Sequence, residues 1–503
     1  MLYQYKDIKK DLKLEADLCV VGSGAAGAII AKEIAETGRR VVLLEVGSYF
    51  RPPYYGHNIQ EGMEKLYFQR GFRAMLGRRS SIVTMQGRAV GGTTVVNSAI
   101  SFRLPEWIRT RWASEFGLKF SNTVLDETYA RVEKTLNIKP VDPDVQGRNN
   151  LLFKQGCDNL GIHSSPIHRN ERNCKACGVC LVGCPEGAKL SMDLTYVPWG
   201  LKAGMDLYTN CQAEKIILEK GEARGIRGRF LEPETDQPGP AIEVRSKLTM
   251  ISAGVMASPI ILLKSGVPNR SKMIGRNLLN HPGTGMLGQF KEVVNAWEGA
   301  NQGYESSQWA KDGIVLETVW GPPSITSIRL PEFGEKNLAI MRKIKHITSF
   351  GAMIRATTTG RVIPTPGSYN PIIYYPINQH DVSLLQRALK YVAEVYFAAG
   401  AEAIYPMIYG LPEVITDAKQ VKLFEEMKLK PTSVNLIGNH PMGTCRMGED
   451  PGSSVVNSNR ESHEVKNLFV CDASIFPTAP GVNPQLTIFA FADMTSQYLK
   501  KRL

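Results

Sequence analysis

Between residues 16 and 47 the chain alternates short apolar runs with a glycine-rich turn, in the sequence ADLCVVGSGAAGAIIAKEIAETGRRVVLLEVG. Residues 17–21 are an apolar run that predicts a short buried strand, and residues 25–37 carry apolar side chains at helical spacing up to Gly38. A second apolar run over residues 40–44 predicts another buried strand. Because strand, helix and strand in this order form the repeating unit of a parallel sheet, the pattern predicts an α/β fold.

Other segments show weaker patterns of the same kinds. Residues 467–492 contain a strand-like run, a proline–glycine loop and an apolar helix, residues 360–377 predict strands and turns, and residues 381–399 predict a helix. No apolar run reaches the ~18 residues of a membrane span, and no apolar signal core precedes the first strand. We therefore expect a cytoplasmic protein, or one exported with a signal-bearing partner, without a signal peptide of its own.

The turn after the first strand has the spacing G-x-G-x-x-G, formed by Gly22, Gly24 and Gly27. The first glycine permits a tight turn, the second lets the backbone approach a pyrophosphate, and the third lets the helix pack closely on the sheet. The N–H groups at the start of that helix then face the phosphates. Glu45, at the end of the second strand, can accept hydrogen bonds from an adenosine ribose. The unit predicts a dinucleotide site and leaves FAD and NAD as alternatives.

Three further segments carry candidate chemistry. The stretch QGRAVGGTTVVN (86–97) is a bare, polar glycine turn suited to a flat ring or a phosphate, although a plain turn between elements is the alternative. His440 lies among small residues in IGNHPMGTC, which favours a catalytic role over a structural one. Asp472 and Asn483 flank the proline–glycine loop before the last helix.

Four cysteines fall within eleven positions, Cys174, Cys177, Cys180 and Cys184, in the spacing C-x2-C-x2-C-x3-C-P. This run is typical of bacterial ferredoxin-type iron–sulfur ligation. Zinc sites instead pair two knuckles from separate parts of the chain, so zinc and a metal-free loop remain the alternatives. All four thiols can hold one [4Fe-4S] cluster, or three can hold a [3Fe-4S] cluster.

Composition adds limits rather than a function. The chain has 503 residues, a formal charge of +12 and nine cysteines. Its basic residues are scattered rather than clustered, which argues against nucleic-acid binding. An odd number of cysteines in a long chain does not indicate a disulfide framework, so we expect reduced or metal-bound thiols.

Taken together, the motifs resemble those of the glucose–methanol–choline (GMC) oxidoreductases, which use FAD. The resemblance extends from residue 17 to the C-terminus and is loosest in the middle. It rests on VVGSGAAG, Glu45, GRAVGGTTVVN, SAGVMASPIILLKSG, IGRNLLNHPG, TTGRVIPTPG, GNHPMGTCRMG and FVCDASIFPTAPGVNPQLTI. It implies a Rossmann-like FAD-binding domain and a second, substrate domain built on an antiparallel sheet.

The resemblance also assigns roles to single residues. His440 matches the active-site histidine of the family and Asn483 its second active-site position. No histidine or cysteine lies in residues 86–98, where some members attach the flavin, so noncovalent FAD is implied. The implied cofactor-binding residues are Gly22, Gly24, Gly27, Glu45, Arg88, Gly91, Gly92, Thr93, Asn97, Ala213, Asp472 and Asn483.

The implied reaction is the oxidation of an alcohol. His440 would accept the hydroxyl proton while a hydride moves to flavin N5, and Asn483 would stabilise the alkoxide. The cysteine run is similar to that of the iron–sulfur FAD glucose dehydrogenase-like branch, where three cysteines hold a [3Fe-4S] cluster. Cys174, Cys180 and Cys184 match those ligands and Cys177 does not, so the cluster type stays open.

The same resemblance divides the chain into three parts. We predict a discontinuous FAD-binding domain from residues 1–105, 205–285 and 432–503, an insertion over 106–204 with the cysteine run, and a substrate domain over 286–431. The predicted function is an alcohol dehydrogenase that passes electrons through a cluster to an external acceptor, either a protein or a small subunit. The alternatives are an oxygen-using alcohol oxidase with a structural metal and a noncatalytic flavin–cluster electron carrier. The identity of the alcohol and the oligomeric state remain open.

Overall fold

The computed structural model describes residues 1–52, 58–330 and 333–503. Strands and helices are numbered in chain order, and the first of the two large sheets has eight strands. These are β1 (Leu2–Tyr3), β2 (Leu12–Val21), β3 (Val41–Leu44), β9 (Asp206–Tyr208), β10 (Cys211–Glu219), β11 (Glu222–Leu231), β12 (Pro238–Ile251) and β22 (Leu468–Val470). Their spatial order is β1-β9-β3-β2-β12-β11-β10, and β22 also pairs with β12.

The predicted strand–helix–strand unit forms the centre of this sheet. Strands β2, β3, β9 and β12 run parallel, and the apolar runs of β2 and β3 are buried, as expected for a parallel sheet covered on both faces. Helix α1 (Gly27–Ala35) connects β2 to β3. Strand β2 begins five residues before the predicted strand, because its half-exposed first part pairs with β12, with Leu12 opposite Ile242.

The second large sheet has twelve strands and is mostly antiparallel. It contains β4 (Arg73–Leu76), β5 (Ser81–Thr84), β7 (Ser165–Pro166), β13 (Arg276–Leu278), β14 (Gly283–Gln289), β15 (Tyr304–Ser306), β16 (Ile314–Thr318), β17 (Ile347–Ile354), β18 (Gly360–Thr365), β19 (Ser368–Tyr374), β20 (Ala403–Tyr405) and β21 (Leu436–Ile437). Its strands come from all three predicted parts of the chain, and the domain boundaries stay a prediction. A separate small sheet pairs β6 (Ile138–Pro140) with β8 (His168–Asn170).

Helices cover both sheets. The remaining ones are α2 (Ile59–Leu66), α3 (Glu106–Phe116), α4 (Asn122–Thr135), α5 (Arg148–Asn159), α6 (Tyr196–Lys202), α7 (Gly254–Lys264), α8 (Pro323–Arg329), α9 (Glu335–Met341), α10 (Gln379–Ala398), α11 (Leu423–Glu426) and α12 (Gln485–Arg502). Helix α10 matches the helix predicted over 381–399 and packs against β17. Within the described ranges, no helix has the length and apolarity needed to cross a membrane.

The cysteine run lies in a segment without helix or strand between β8 and α6. Isolated bridges tie this segment down, with Glu171 paired to Lys189 and Cys177 paired to Gly299. The segment is therefore folded back on itself and attached to the chain that leads into the second sheet.

Candidate active site

A cavity of about 1190 Å³ opens at the carboxyl ends of β2, β3 and β12 and extends along the second sheet. This edge of a parallel sheet is where ligands of open α/β folds bind. Most predicted site residues lie in its wall: Gly22, Gly24, Glu45, Gly92, Thr93, Asn97, Ala213, His440, Asp472 and Asn483. Gly27, Arg88 and Gly91 are not part of the wall.

The three glycines of the first turn have the separate roles that their spacing predicts. A Cβ on Gly22, which has φ of +94°, would lie 2.4 Å from the Ser252 carbonyl oxygen, and one on Gly27 would lie 1.9 Å from the Gly22 carbonyl oxygen. Gly24 differs, because a Cβ there would meet only the Cα of Gly92, at 3.8 Å. Gly22 and Gly27 are thus required by packing, whereas Gly24 keeps a wall of the cavity bare for a ligand.

Glu45 is held in a fixed position at the end of β3. Its carboxylate accepts hydrogen bonds from the Ser23 N–H (2.9 Å), the Ser23 hydroxyl (2.7 Å) and the Gly47 N–H (2.8 Å). Burial raises the pKa of Glu45, and these hydrogen bonds oppose the rise. The carboxylate is therefore oriented at the cavity edge, where it can receive a ribose hydroxyl on its remaining lone pairs.

The glycine loop over residues 86–97 lies against the first turn. The N–H of Gly91 donates to the Ser23 hydroxyl at 3.0 Å, and the hydroxyl of Thr93 accepts from the Gly87 N–H at 3.1 Å. Arg88 points away and forms an ion pair with Asp236. The loop therefore brings Gly92, Thr93 and Asn97 to the cavity and leaves Arg88 outside it.

Two further predicted residues complete this end of the cavity. Asp472 accepts hydrogen bonds from the Gly254 N–H (2.9 Å) and the Ser258 hydroxyl (2.6 Å), which join the start of α7 to the loop after β22. Ala213 lies near the start of β10, beside the end of β3, where the Cys211 N–H donates to the Glu45 carbonyl at 2.8 Å. Both residues belong to the same edge of the first sheet.

His440 and Asn483 stand side by side, with Asn483 Nδ2 3.3 Å from His440 Nε2. The sequence analysis assigned no role to His281, which lies on the other side of His440, with the two Nδ1 atoms 3.4 Å apart. His281 Nε2 accepts a hydrogen bond from the Gly481 N–H at 3.0 Å. His281 is part of the motif IGRNLLNHPG, which could have marked it as a site residue. Its contact with His440 becomes visible only in the folded structure.

The contacts of these side chains limit where their protons sit. A neutral imidazole has one donor and one acceptor. Because Gly481 donates to His281 Nε2, His281 carries its proton on Nδ1 and donates it to His440 Nδ1. His440 then carries its proton on Nε2. Exchanging the oxygen and nitrogen of the Asn483 amide places Asn483 Oδ1 beside this proton as its acceptor. In the described part of the chain, Asn483 Oδ1 otherwise lacks a partner. The opposite arrangement makes His440 Nε2 an acceptor and breaks the contact with Gly481.

Burial keeps both rings neutral at neutral pH. It lowers the pKa of His440 to about 4, and it lowers the pKa of His281 well below the ordinary value, with His440 and Arg355 adding to the effect. Neutral imidazoles at a cavity wall can take or give a proton without first losing one to solvent.

The four cysteines of the run line one small cavity of about 10 Å³, together with Arg169, Glu171, Lys189, Gly299 and Ala300. Over the described residues, no group of three or more histidine, cysteine, aspartate or glutamate side chains is arranged around a single metal ion. The predicted metal site is therefore not confirmed.

Two buried cations lie against this cysteine cavity. Arg169 donates to Cys180 Sγ at 3.4 Å and pairs with Glu171 at 3.0 Å. Its Nε has no hydrogen-bond partner within the described ranges. The ammonium group of Lys189 donates to the carbonyls of Val95 (2.6 Å), Asn97 (2.8 Å) and Cys180 (2.9 Å). One lysine side chain thus joins the cysteine segment to the glycine loop of the large cavity.

The two cavities share a wall. Gly299 and Ala300 line the cysteine cavity, whereas the next two residues, Asn301 and Gln302, line the large cavity. Leu181, which follows the third cysteine of the run, also lines the large cavity. A group bound by the cysteines would therefore lie next to a ligand of the large cavity.

Comparison of the sequence with known proteins identifies the family of this chain. Sequence models of the N- and C-terminal parts of GMC oxidoreductases match residues 17–283 and 363–492. The chain belongs to the GMC oxidoreductase family. An uncharacterized GMC-type oxidoreductase of Mycobacterium tuberculosis is 33% identical to the present chain. The matched region covers 95% of the present chain and 74% of the Mycobacterium protein. The long-chain-alcohol oxidase FAO3 of Arabidopsis thaliana is 28% identical over 98% of this chain and 69% of that protein.

Two further relatives of this GMC oxidoreductase are informative. The 2-methyl-1,2-propanediol dehydrogenase of Mycolicibacterium austroafricanum is 25% identical over 97% of this chain and 96% of that protein. A variant of formate oxidase from Aspergillus oryzae, solved to study modification of its FAD, superposes with a TM-score of 0.76 at 15% identity, over 98% and 99% of the two chains. The expected α/β fold with a Rossmann-like FAD-binding part is confirmed, as is the assignment to FAD-using oxidoreductase enzymes. The bare wall at Gly24 and the oriented Glu45 fit FAD.

Proposed function

We propose that this GMC oxidoreductase oxidises the CH–OH group of an alcohol, with His440 as the base and Asn483 as its partner at the reacting oxygen. The observation that carries the proposal is the pairing of a neutral His440 with Asn483 in the wall of the large cavity. The relatives named as an alcohol oxidase and a diol dehydrogenase support an alcohol as the substrate.

The chain's own residues have distinct tasks in this reaction. Bound FAD would supply the hydride acceptor. His440 Nε2 takes the hydroxyl proton in the arrangement in which its own proton lies on Nδ1, toward His281. Asn483 Nδ2 donates to the substrate oxygen as negative charge develops there. In that arrangement a protonated His281 Nε2 faces the N–H of Gly481, which costs ~1–3 kcal/mol, so the form that can accept the proton is the minor one.

Replacing the proposed base tests the assignment. His440→Ala should slow anaerobic flavin reduction by an alcohol ~10²–10⁴-fold, the contribution of a positioned general base, while FAD content stays unchanged. His380→Ala, at an exposed histidine on α10, is the matched control and should keep the wild-type rate. Fast reduction in His440→Ala would remove His440 as the base. An alcohol panel that bleaches no flavin at all would instead favour a noncatalytic electron carrier.

We further propose that Cys174, Cys177, Cys180 and Cys184 hold an iron–sulfur cluster. Such a cluster, when bound, would accept electrons one at a time and pass them to an external acceptor protein or small subunit. The residues fit this group, because four thiols face one cavity and the buried Arg169 and Lys189 would compensate the charge of thiolates and sulfides.

The cluster and its fourth ligand can be tested separately. Purified protein should contain iron and acid-labile sulfide, and Cys174→Ser should lose both, whereas Cys157→Ser, outside the run, should keep them. Protein prepared without oxygen and found free of iron would refute the cluster. An electron paramagnetic resonance signal that is unchanged in Cys177→Ser would remove Cys177 from the ligands.

The oxygen-using alternative has its own measurement. The relative named as an alcohol oxidase keeps this alternative in view. A dehydrogenase should turn over slowly in air and quickly with an artificial electron acceptor. Stoichiometric release of hydrogen peroxide during turnover in air would favour the oxidase.

A further inference from the structure

One member of a buried pair of carboxyl groups lines the large cavity. Glu305 on β15 lies directly opposite Glu317 on β16, and each is 5% exposed. Glu317 lines the cavity, and its Oε2 accepts a hydrogen bond from Gln302 Nε2 at 3.1 Å. Among the residues that the structure describes, its Oε1 has no hydrogen-bond partner, and neither does Oε2 of Glu305. Nothing in the FAD site or the proposed reaction uses these groups.

Unpaired carboxyl groups in an interior are costly and are normally matched by a partner. Within the described part of the chain, neither Glu305 nor Glu317 forms a salt bridge, although the chain has a formal charge of +12. Burial raises the pKa of Glu305 to about 7 and that of Glu317 to about 8, and in Glu317 the neighbouring Glu305 adds to the rise. The pair is thus short of positive charge and holds a proton that a cation could replace.

Small residues lie beside Glu317 in the second sheet. In the register of the second sheet, Glu317 lies opposite Gly351, and Gly351 lies opposite Gly285 on β14. Side chains of residues that lie opposite each other on neighbouring strands point to the same face of the sheet. On the face of Glu317, the next two positions across the sheet are therefore glycines. Trp320, which is 2% exposed, also lines the cavity, and its indole N–H has no partner among the residues that the structure describes.

The distance to the histidine pair sets the shape of such a ligand. Gly285 lies four residues after His281, and Glu317 is two strands away from Gly285. Strand rise and spacing therefore separate the backbones of His281 and Glu317 by ~15 Å. The side chains shorten this gap, so a ligand that touches both must be elongated.

We propose that Glu317 is a specificity residue that binds a protonated amine at the far end of an elongated substrate, whose hydroxyl lies at His440. This inference rests on the proposed alcohol oxidation and adds the substrate class, a long ω-amino alcohol. Glu317 Oε1 accepts from the ammonium group, and Gln302 holds the carboxylate in place.

Matched substrate series test the proposal with the holoenzyme. Long ω-amino alcohols should have kcat/KM about 10- to 100-fold above n-alkanols of equal length, as expected for one charge-assisted hydrogen bond. Glu317→Gln should remove this preference, so that the ratio of kcat/KM between the two series falls to about one. Glu298→Gln, at an exposed carboxyl near the same wall, should keep it. Equal rates for the two series, a better rate with α,ω-diols than with amino alcohols, or a preference that survives Glu317→Gln would overturn the assignment.

A second measurement separates this inference from the reaction. Long n-alkylamines have no hydroxyl group, and their binding to the holoenzyme can be followed by calorimetry. Wild-type protein should bind them at least tenfold more tightly than Glu317→Gln does, and Glu305→Gln gives a second variant should the first fail to fold. If alkylamines bind through Glu317 but no alcohol is oxidised, the proposed reaction fails and the amine site stands. Binding that does not depend on Glu317 overturns the amine site alone.

Discussion

The depressed pKa of His440 predicts how the stability of the folded protein depends on pH. The ordinary pKa is 6.5 and burial lowers it to about 4 in the folded chain. Between these values the unfolded chain binds a proton at His440 and the folded chain does not. Stability due to the neutral ring is therefore fully present above pH 6.5 and is lost as the pH falls toward 4.

The size of this effect follows from the same two values. At ~1.4 kcal/mol per pH unit, a decrease from 6.5 to about 4 corresponds to ~3 kcal/mol. His440 is partly exposed to the cavity, and solvent screening reduces the expected loss to ~2–3 kcal/mol. The asparagine of His440→Asn does not titrate. Between pH 6.5 and about 4, the free energy of unfolding of this variant should therefore fall by ~2–3 kcal/mol less than that of the wild type.

Urea unfolding of the wild-type holoenzyme and of His440→Asn, at fixed FAD and at several pH values from 7 to 4, measures the difference. His281 is present in both proteins, so its own titration largely cancels. The rate of alcohol-dependent flavin reduction in the wild type should stay level above about pH 5 and fall below it, because a protonated His440 cannot accept a proton. Unfolding curves that shift in parallel for the two proteins would refute the buried, neutral ring.

Three other predictions concern the cofactor end. Gly24→Val should fold but lose FAD, because the valine side chain enters the cavity. Gly27→Ala should fold poorly, since its Cβ would lie 1.9 Å from a carbonyl oxygen. Measurements of FAD content and melting temperature distinguish the two variants. Lys189→Met should lower the free energy of unfolding by ~3 kcal/mol or more, because three buried carbonyls lose a donor; chemical unfolding measures this, and a change below ~1 kcal/mol would contradict it. Asp236→Asn breaks the ion pair with Arg88 at the surface and should lower the free energy of unfolding by less than ~1 kcal/mol, with FAD content unchanged. Loss of FAD in this variant would instead indicate that Arg88 belongs to the cofactor site.

How far the sequence reached depended on how local each feature is. The turn of Gly22, Gly24 and Gly27 was predictable because its strand, glycines and helix are contiguous and each has a steric reason. His281 was not, because its partner His440 is 159 residues away and only the fold joins them. Glu317 gave no signal, since a single acid in an apolar run looks like a solvent-facing strand position. Its burial arises from pairing with β15 and β17.

The shared wall relates the two cavities physically. Residues 299–302 face the cysteines on one side and the large cavity on the other, and Lys189 fixes the cysteine segment to the carbonyls of Val95 and Asn97. A cluster held by the cysteines would therefore lie against this wall. Because Gln302 in the same wall holds Glu317, the cluster would also adjoin the proposed amine site. Removal of the cluster should consequently alter the binding of alkylamines, which calorimetry on iron-depleted and loaded protein can measure.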